Sequence, residues 1–309
     1  MKIVFMGTPE FAVPTLESLI LNHQVEAVFT QPDRPKGRGK KLAFSAVKEV
    51  AVKHGIKIYQ PEKLKNDREC IEALKAINPD FIVVVAYGQI LSQEILDIPK
   101  YYCINLHASL LPKYRGAAPI QWCIINGETE SGNTTMKMDA GIDTGDILMQ
   151  SKVAIDPDLT ADELHDKLME DGGKLVVDTI QAVVENKLTP VPQVDELSCN
   201  SPMLSREKAK IDWKASAKDI HNLVRGLNSW PVAHTNYNEL SLKVFKTAVV
   251  NIETNKTPGS ILKVDNKGIL VATGEKALLI EEIQFPNGKR MKVSDYIRGN
   301  NIEEGLILD

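Results

Sequence analysis

The 309-residue sequence predicts an α/β fold: a Rossmann-like, mostly parallel sheet with helices on both faces, followed by a smaller C-terminal OB-like β-barrel domain. Three observations predict this class. Strand and helix patterns alternate up to about residue 189, as βαβ units require. One strand in this stretch is apolar on both faces, which is typical of the centre of a covered parallel sheet. After residue 205, short strands follow one another with Gly or Asn between several of them, which is typical of a small barrel.

The opening residues predict a βαβ unit. Residues 1–6 (MKIVFM) form an apolar strand, and Gly7-Thr8-Pro9 provide a turn, an N-cap and a proline suited to the first helical position. A helix to about Asn22 and a strand over residues 25–30 follow. Gly7 stands alone where a dinucleotide-binding fingerprint needs three glycines, so the sequence does not predict NAD binding.

Residues 31–43 (QPDRPKGRGKKLA) interrupt the alternation. Two prolines and two glycines argue against a regular element, and five Lys and Arg residues lie within eight positions. A solvated, mobile loop is the ordinary interpretation of such a composition. The functional alternative is a basic loop that becomes ordered when it contacts RNA.

The alternation then resumes. The apolar stretch FIVVVAY predicts the central strand, and the catalytic loops of such a sheet lie beyond the carboxyl ends of its strands. We therefore expect the loops after Tyr87 and after Asn105 to border one crevice. The other predicted elements of this part are a helix over 44–54, a strand over 56–59, helices over 62–78, 117–126 and 160–186, and strands over 134–138 and 147–155.

Prolines at 190, 192 and 202 with polar residues between them predict a linker between two domains. The expected organisation is a catalytic domain over residues 1–189, a linker over 190–205 and an OB-like domain over 206–309. A helix over 216–227 opens the second domain. Its five predicted strands are 232–237, 240–250, 259–264, 268–272 and 277–285.

The chemistry-bearing residues lie between Cys103 and Asp146. An apolar strand ends in Asn105 and His107, which are two positions apart and so share one face of an extended segment. A later Gly-rich loop (MDAGIDTGD) contains Asp143. An amide, an imidazole and a carboxylate that meet at one point can stabilise an oxyanion and move protons without a metal. Calcium is rejected for this loop, because counting from Asp139 places a glycine at the third EF-hand position.

Ordinary interpretations exist for each residue taken singly. Asn105 can be a turn former, His107 a hydrogen-bonded histidine at a strand end, and the aspartates Asx-turn residues between glycines. The combination of all three residue types around one buried strand favours the functional interpretation.

The motifs NLHxSLLPxYRGAAPIQW and MDxGxDTGD together resemble those of the folate-dependent formyltransferases, and the likeness spans the chain from FMGTPEFA through TQPDRPxGRGKK to KIDW. The resemblance implies Asn105, His107 and Asp143 as catalytic residues. It implies a folate site lined by Ser109, Leu110, Leu111 and Pro112. It also places Arg38, with Lys40 and Lys41, in a loop that contacts tRNA.

The resemblance further implies the reaction: 10-formyltetrahydrofolate, a co-substrate, donates its formyl group to the α-amine of methionine on initiator tRNA, with no metal. Two alternatives stay open. One is a formyltransferase acting on a small amine, such as a sugar nucleotide or glycinamide ribonucleotide. The other is a noncatalytic RNA-binding protein on an α/β scaffold.

Composition is that of an ordinary globular protein, with 43% hydrophobic and 25% charged residues. No apolar run is long enough for a membrane span and no signal peptide opens the chain, so we expect a cytoplasmic protein that does not enter a membrane. For the oligomeric state, a monomer is the default expectation. The four cysteines form no C-x-x-C pair, which argues against a zinc knuckle or a redox motif.

The charge is uneven along the chain. Residues 203–309 contain 16 Lys and Arg against 13 Asp and Glu, whereas residues 1–202 contain 21 against 28. The C-terminal part is therefore the better candidate for contact with a polyanion, although a solvated surface of mixed charge explains the same count.

Overall fold

The computed structural model of the protein describes residues 1–36 and 41–309. Arg38 and Lys40 of the predicted tRNA loop lie outside these residues, as does the side chain of Lys41. The strands are β1 (Lys2–Gly7), β2 (Gln24–Phe29), β3 (Arg34–Lys36), β4 (Lys41–Ala43), β5 (Lys57–Tyr59), β6 (Phe81–Val85), β7 (Cys103–His107), β8 (Arg115–Gly116), β9 (Glu130–Lys137), β10 (Ile147–Ala154), β11 (Asn200–Ser201), β12 (His234–Tyr237), β13 (Leu240–Val250), β14 (Ile261–Asp265), β15 (Gly268–Ala272), β16 (Ala277–Gln284) and β17 (Met291–Lys292).

The α-helices are α1 (Val13–Asn22), α2 (Ala46–Lys53), α3 (Arg68–Ile77), α4 (Gln93–Leu96), α5 (Pro119–Ile125), α6 (Ala161–Val184), α7 (Ala217–Gly226) and α8 (Val293–Tyr296). Residues 1–36 and 41–309 divide into two compact units. The sheet unit comprises Met1–Gly116, Ser131–Val153 and His165–Asn200, and the barrel unit comprises Ala117–Glu130, Ala154–Leu164 and Ser201–Asp309. The domain boundaries expected at residues 189 and 205 stay a prediction.

The sheet unit is built on seven strands in the order β10-β9-β7-β6-β1-β2-β5. The pairs β6–β7, β1–β6, β1–β2 and β2–β5 are parallel, whereas β9 runs antiparallel to β7. Every residue of β6 is buried, as predicted for the central strand. Chain order reverses between β1 and β6, which is where open α/β sheets bind their ligands. The predicted α/β class is confirmed.

The basic segment near residue 35 is more regular than its composition indicates. β3 and β4 pair antiparallel, with Arg34 opposite Ala43 and Pro35 opposite Leu42. The expectation that prolines and glycines exclude a regular element here was therefore wrong for both flanks of the loop. Proline is tolerated in such an isolated pair, because an edge strand does not need every N–H to donate.

Gly172 in α6 allows this helix to approach the sheet closely, and its neighbour Gly173 packs against α1. A Cβ atom on Gly172 would lie 2.6 Å from Cδ2 of Leu106, the residue of β7 between Asn105 and His107. Glycine inside a helix costs about 1 kcal/mol relative to alanine, and the close packing on β7 offsets this cost. The helix predicted over residues 160–186 is confirmed despite these glycines.

In the barrel unit, six antiparallel strands form one sheet in the order β12-β13-β16-β15-β14, with β17 paired to β16. All five predicted strands are present, with bounds shifted by at most two residues. Helix α7 packs its buried Ile220 and Val224 into the same core as Val244 and Ile280. Trp213 is also buried there, and its indole N–H donates to the hydroxyl of Thr235 at 2.9 Å. The predicted OB-like architecture is confirmed.

None of the helices in the described part of the chain is both long enough and apolar enough to cross a bilayer.

Candidate active site

Strand β7 positions the first two candidate residues. It lies between the parallel strand β6 and the antiparallel strand β9, with Asn105 opposite Val84 on one side and Met136 on the other. His107 is the last residue of the strand and is buried, with 6% of its surface exposed. Asn105 is half-buried. Their two-residue spacing places both side chains on the same face of β7, as the sequence predicts.

The two ring nitrogens of His107 face different groups. Nε2 lies 2.8 Å from the backbone carbonyl oxygen of Tyr114, and Nδ1 lies 3.6 Å from Oδ2 of Asp143. A carbonyl oxygen can only accept, so Nε2 has the hydrogen in both protonation states of the ring. Nδ1 is therefore the nitrogen that can gain or lose a proton, and it faces the carboxylate.

Asp143 is held in place by the segment that follows the histidine loop. Its φ angle is +54°, and its Oδ2 accepts a hydrogen bond of 2.8 Å from the backbone N–H of Gly116. Its Oδ1 accepts no hydrogen bond from another described residue, and 15% of the side chain is exposed. One carboxylate oxygen thus holds the side chain in place, while the other has no hydrogen-bond donor among the described residues.

The sequence analysis did not identify Gln193, which connects the two loops of the site. Its Nε2 donates to the backbone carbonyls of Asp143 at 2.9 Å and of Gly145 at 2.7 Å. Its Oε1 accepts from Nε of Arg115 at 3.0 Å. Gln193 lies in the stretch predicted as a linker, so no local pattern distinguishes it. A carboxamide that makes three hydrogen bonds to two separate segments fixes their relative position.

The side chain of Asn105 differs from an ordinary structural asparagine. It makes no hydrogen bond to another described residue, whereas Nδ2 of buried Asn133 donates to the carbonyl of Leu168 and to Asp171. An amide that is half-buried at the carboxyl end of a strand and lacks a partner in the described protein can donate to a bound carbonyl oxygen. The amide and the imidazole thus lie on one face of β7, and the carboxylate approaches the imidazole from the loop that contains Asp143.

The predicted folate residues follow directly after β7. Ser109 and Leu111 are buried, and the hydroxyl of Ser109 donates to the carbonyl of Lys113 at 2.7 Å. The Leu111 N–H donates to Oγ1 of Thr134 at 3.1 Å, on strand β9. Leu110 and Pro112 are only half-buried, so their surfaces are the ones that a ligand can contact. The peptide bond between Leu111 and Pro112 is cis.

Asp139 and Cys103 lie in the same stretch of the chain. The carboxylate of Asp139 accepts from the N–H of Gly141 at 3.0 Å and from the hydroxyl of Thr144 at 2.8 Å, and so closes a turn within its own loop. Cys103 at the start of β7 is buried, and burial raises the pKa of its thiol to about 12. A thiol of this pKa is protonated at neutral pH and is a poor nucleophile.

Two family models match the chain. The model described as "Formyl transferase" matches residues 1–180, and the model described as "Formyl transferase, C-terminal domain" matches residues 203–301.

Solved structures of two other proteins share the fold. An N-formyltransferase from Helicobacter canadensis, in complex with folinic acid and dTDP-3-aminofucose, superposes with a TM-score of 0.67 and 24% identity, covering 91% of this chain and 99% of that one. HypX from Aquifex aeolicus, in complex with tetrahydrofolic acid, gives a TM-score of 0.63 and 17% identity, covering 97% of this chain and 47% of that one. At these identities the likeness shows the fold alone.

Curated relatives are much more similar in sequence. The methionyl-tRNA formyltransferases of Clostridium perfringens (strain SM101) and Clostridium tetani are 61% and 60% identical to this chain, and that of Clostridioides difficile is 52% identical. In each case the alignment covers 100% of this chain and 100% of the relative. At this level of identity over the full length, the chain belongs to the methionyl-tRNA formyltransferase family.

Proposed function

We propose that the protein transfers the formyl group of 10-formyltetrahydrofolate to the α-amino group of methionine esterified to initiator tRNA, which yields N-formylmethionyl-tRNA. The observation on which this rests is the arrangement of Asn105, His107 and Asp143 around the end of β7, in a chain whose full-length relatives are methionyl-tRNA formyltransferases. Its members are an amide donor with no partner among the described residues, a buried imidazole and a carboxylate whose Oδ1 accepts no hydrogen bond from those residues.

The pKa of the attacking α-amino group determines how much help from a base the reaction needs. An α-amino group has a pKa of about 7.7–8.0, so a useful fraction is neutral and nucleophilic near pH 7. Formation of the new C–N bond then places negative charge on the formyl oxygen and leaves a surplus proton on the attacking nitrogen. Collapse of this tetrahedral species breaks the bond between the formyl carbon and N10 of the folate, and N10 takes up the proton that the amine gives up, so that tetrahydrofolate leaves. The protein has to stabilise the negative charge and remove the surplus proton, and both tasks suit fixed polar groups in a water-poor site.

Each of the three residues has a task in this reaction. The Asn105 amide N–H, which has no partner in the described protein, donates to the formyl oxygen as it gains charge. His107 in its charged form directs Nδ1–H toward the region of the formyl oxygen, while Nε2–H keeps its hydrogen bond to the carbonyl of Tyr114. Asp143 orients the ring and stabilises its charge, and its free Oδ1 accepts the amine proton directly or through one water.

The substrate contacts are part of the same proposal. Leu110 and Pro112 present accessible surface for the folate next to β7, while Ser109 and Leu111 hold that loop in shape. The loop with Arg38, Lys40 and Lys41 contacts the acceptor end of the tRNA. The C-terminal OB-like domain, over residues 206–309, binds tRNA as well. We place the reaction in the cytoplasm, where aminoacylated tRNA is made and used, and we propose a monomer.

The full-length protein can be tested by offering it labelled 10-formyltetrahydrofolate with four amines in parallel: methionyl initiator tRNA, methionyl elongator tRNA, an amino-sugar nucleotide and glycinamide ribonucleotide. We expect transfer to the initiator tRNA with a clear preference over the elongator tRNA. Transfer to a small amine with none to either tRNA would replace this proposal by the small-substrate alternative. Binding of tRNA without formyl transfer to any acceptor would identify a noncatalytic RNA-binding protein.

A further inference from the structure

Thr134 on strand β9 lies directly opposite His107, its Cα partner on β7. Paired residues of neighbouring antiparallel strands point to the same face of a sheet, so the Thr134 side chain lies on the face that bears the imidazole. The residue is fully buried, with 0% of its surface exposed. A buried hydroxyl needs hydrogen-bond partners, and those of Thr134 lie mainly in the loop that follows His107.

The hydroxyl of Thr134 forms all the hydrogen bonds that such a group can make. It donates to the Ser109 carbonyl at 2.6 Å and accepts from the Leu111 N–H at 3.1 Å. It also accepts from Nε2 of Gln150, on β10, at 2.9 Å. One donor and two lone pairs are what a hydroxyl offers, so this group has no capacity left for a ligand. It therefore holds the loop and does not itself bind a substrate.

Two further residues hold the same loop. Nε2 of Gln150 also donates to the Leu111 carbonyl at 2.9 Å, so one amide joins this carbonyl to the Thr134 hydroxyl. The Leu110 side chain packs over Gly132 of β9, since a Cβ atom on that glycine would lie 2.7 Å from Cδ2 of Leu110. The backbone on either side of Leu110 is thus fixed by hydrogen bonds, and its side chain by packing.

The fixed residues of the loop alternate with accessible ones. Ser109 and Leu111 are buried, whereas Leu110 and Pro112 are half-buried and offer the surface proposed above for the folate. Residues 108–114 belong to no helix or strand, so no backbone ladder sets their shape. The side chains of β9 and β10 set it instead, and they determine how the accessible surface is presented.

We infer that Thr134, assisted by Gln150, is a positioning residue for the formyl donor: its hydroxyl holds residues 109–112 in the shape that binds the folate. This inference rests on the proposed function, because the loop has this task only if the donor is a formyl folate. The backbone pairing of β9 with β7 does not depend on the hydroxyl, so His107 keeps its place when the hydroxyl is removed. Loss of the hydroxyl should therefore weaken donor binding and leave tRNA binding unchanged.

Thr135 provides a matched control one position along β9. It is equally buried, and its hydroxyl lies on the opposite face, with hydrogen bonds to the hydroxyl of Thr179 on α6 at 2.8 Å and from the Met149 N–H at 3.1 Å. Valine has the shape of threonine but no hydroxyl, so Thr134→Val and Thr135→Val both leave buried groups without a partner. We expect both to lower the melting temperature. Only Thr134→Val should alter the donor loop.

The first test measures steady-state formyl transfer by the full-length protein, with each substrate varied in turn. We expect Thr134→Val to raise KM for 10-formyltetrahydrofolate roughly 5- to 150-fold, the range for a buried hydrogen-bonding group left without its partner. KM for methionyl-tRNA, and kcat at saturating donor, should stay within a few-fold of the wild type. Thr134→Ser, which restores the hydroxyl, should bring the donor KM back toward the wild-type value, and Thr135→Val should keep that value.

A binding measurement removes turnover from the test. Calorimetric titration with 5-formyltetrahydrofolate, in the absence of tRNA, gives a dissociation constant for a formyl folate. We expect the same rise for Thr134→Val and none for Thr135→Val. Gln150→Ala truncates an exposed side chain and so leaves the core intact. It should weaken binding about 2- to 13-fold, the range for one ordinary hydrogen bond, whereas Gln24→Ala, at another exposed glutamine in a strand, should not.

Two results would overturn the inference and leave the proposed function standing. One is wild-type donor KM and dissociation constant in Thr134→Val and Gln150→Ala. The other is an equal rise in Thr134→Val and Thr135→Val, which would show that the stability of the sheet, and not the shape of the loop, determines donor binding. Gln150→Ala decides the question if Thr134→Val does not fold. Failure of the wild type to transfer a formyl group to methionyl-tRNA would instead refute the proposed function.

Discussion

The two ring nitrogens of His107 have different neighbours: Nε2 donates to the carbonyl of Tyr114 at 2.8 Å, and Nδ1 faces Oδ2 of Asp143 at 3.6 Å. The backbone carbonyl fixes which nitrogen has the hydrogen in the neutral ring. Any proton exchanged by this imidazole therefore enters or leaves at Nδ1, beside the carboxylate. This geometry is the basis on which we propose that Asp143 and His107 act as a pair.

Removing the charge of Asp143 tests this pair. Asp143→Asn keeps the shape of the side chain and can still accept from the N–H of Gly116, but it no longer stabilises a charged His107 or accepts a proton. We expect kcat/KM for formyl transfer to fall about 10²- to 10⁴-fold, the range for loss of a positioned acid or base. Asp139→Asn, in the same loop, should retain activity within a few-fold. An equal loss of activity in both variants would mean that the structure of the loop, and not the charge of Asp143, determines the rate.

Removing the amide of Asn105 tests the oxyanion role. Asn105→Ala deletes the donor, and Asn105→Asp replaces it with a negative charge at the position where negative charge develops. We expect about a 10²- to 10³-fold fall in kcat for alanine and a larger one for aspartate. The measurement is single-turnover formyl transfer, with exposed Asn22→Ala as control. Wild-type rates in either Asn105 variant would remove this residue from the catalytic set.

Gln193 is expected to act through the position of Asp143. Gln193→Glu keeps the size of the side chain and its acceptor for Arg115, but it cannot donate to the carbonyls of Asp143 and Gly145. A displacement of about 1 Å in a catalytic group can cost about 10²-fold in rate, so we expect kcat to fall by about one to two orders of magnitude.

A positioning role for Gln193 also predicts which constant changes. Because neither substrate contacts this side chain in the proposed reaction, KM for both should change little while kcat falls. The matched control is Gln181→Glu, an exposed glutamine on α6. An unchanged kcat in Gln193→Glu, or a rise in KM alone, would contradict the positioning role.

A histidine in the barrel unit predicts pH-dependent stability. His221 is buried on α7, and burial lowers its pKa below the usual 6.5, against the raising effect of its contacts with the Pro157 carbonyl and Asp158. Its charged form is disfavoured in the folded state, so the unfolded state binds more protons as the pH falls below about 6.5. Stability should therefore decrease on acidification through this window and be fully present above it.

The measurement is the urea midpoint of the full-length protein at about pH 7 and about pH 5.5, compared between wild type and His221→Gln. We expect the wild type to lose more stability on acidification than the variant, since glutamine does not titrate. Equal losses in the two proteins would show that other groups cause the pH dependence.

Local patterns in the sequence determined the main architecture and the catalytic candidates. The apolar run in β6, the βαβ order before it and the two-residue spacing of Asn105 and His107 depend only on neighbours along the chain, because side chains alternate in strands and repeat every 3.6 residues in helices. The motif resemblance added Asp143, and the structure places its carboxylate beside the imidazole of His107.

Only the tertiary structure decided how these residues are held. Gln193 lies 50 residues from Asp143, and the Tyr114 carbonyl that fixes the His107 ring is a backbone group present at every position, so neither leaves a signal in the sequence. The pairing of β3 with β4 likewise depends on contacts between two strands. Periodicity describes which face a residue occupies, whereas the partner on that face is set by the way separate segments pack.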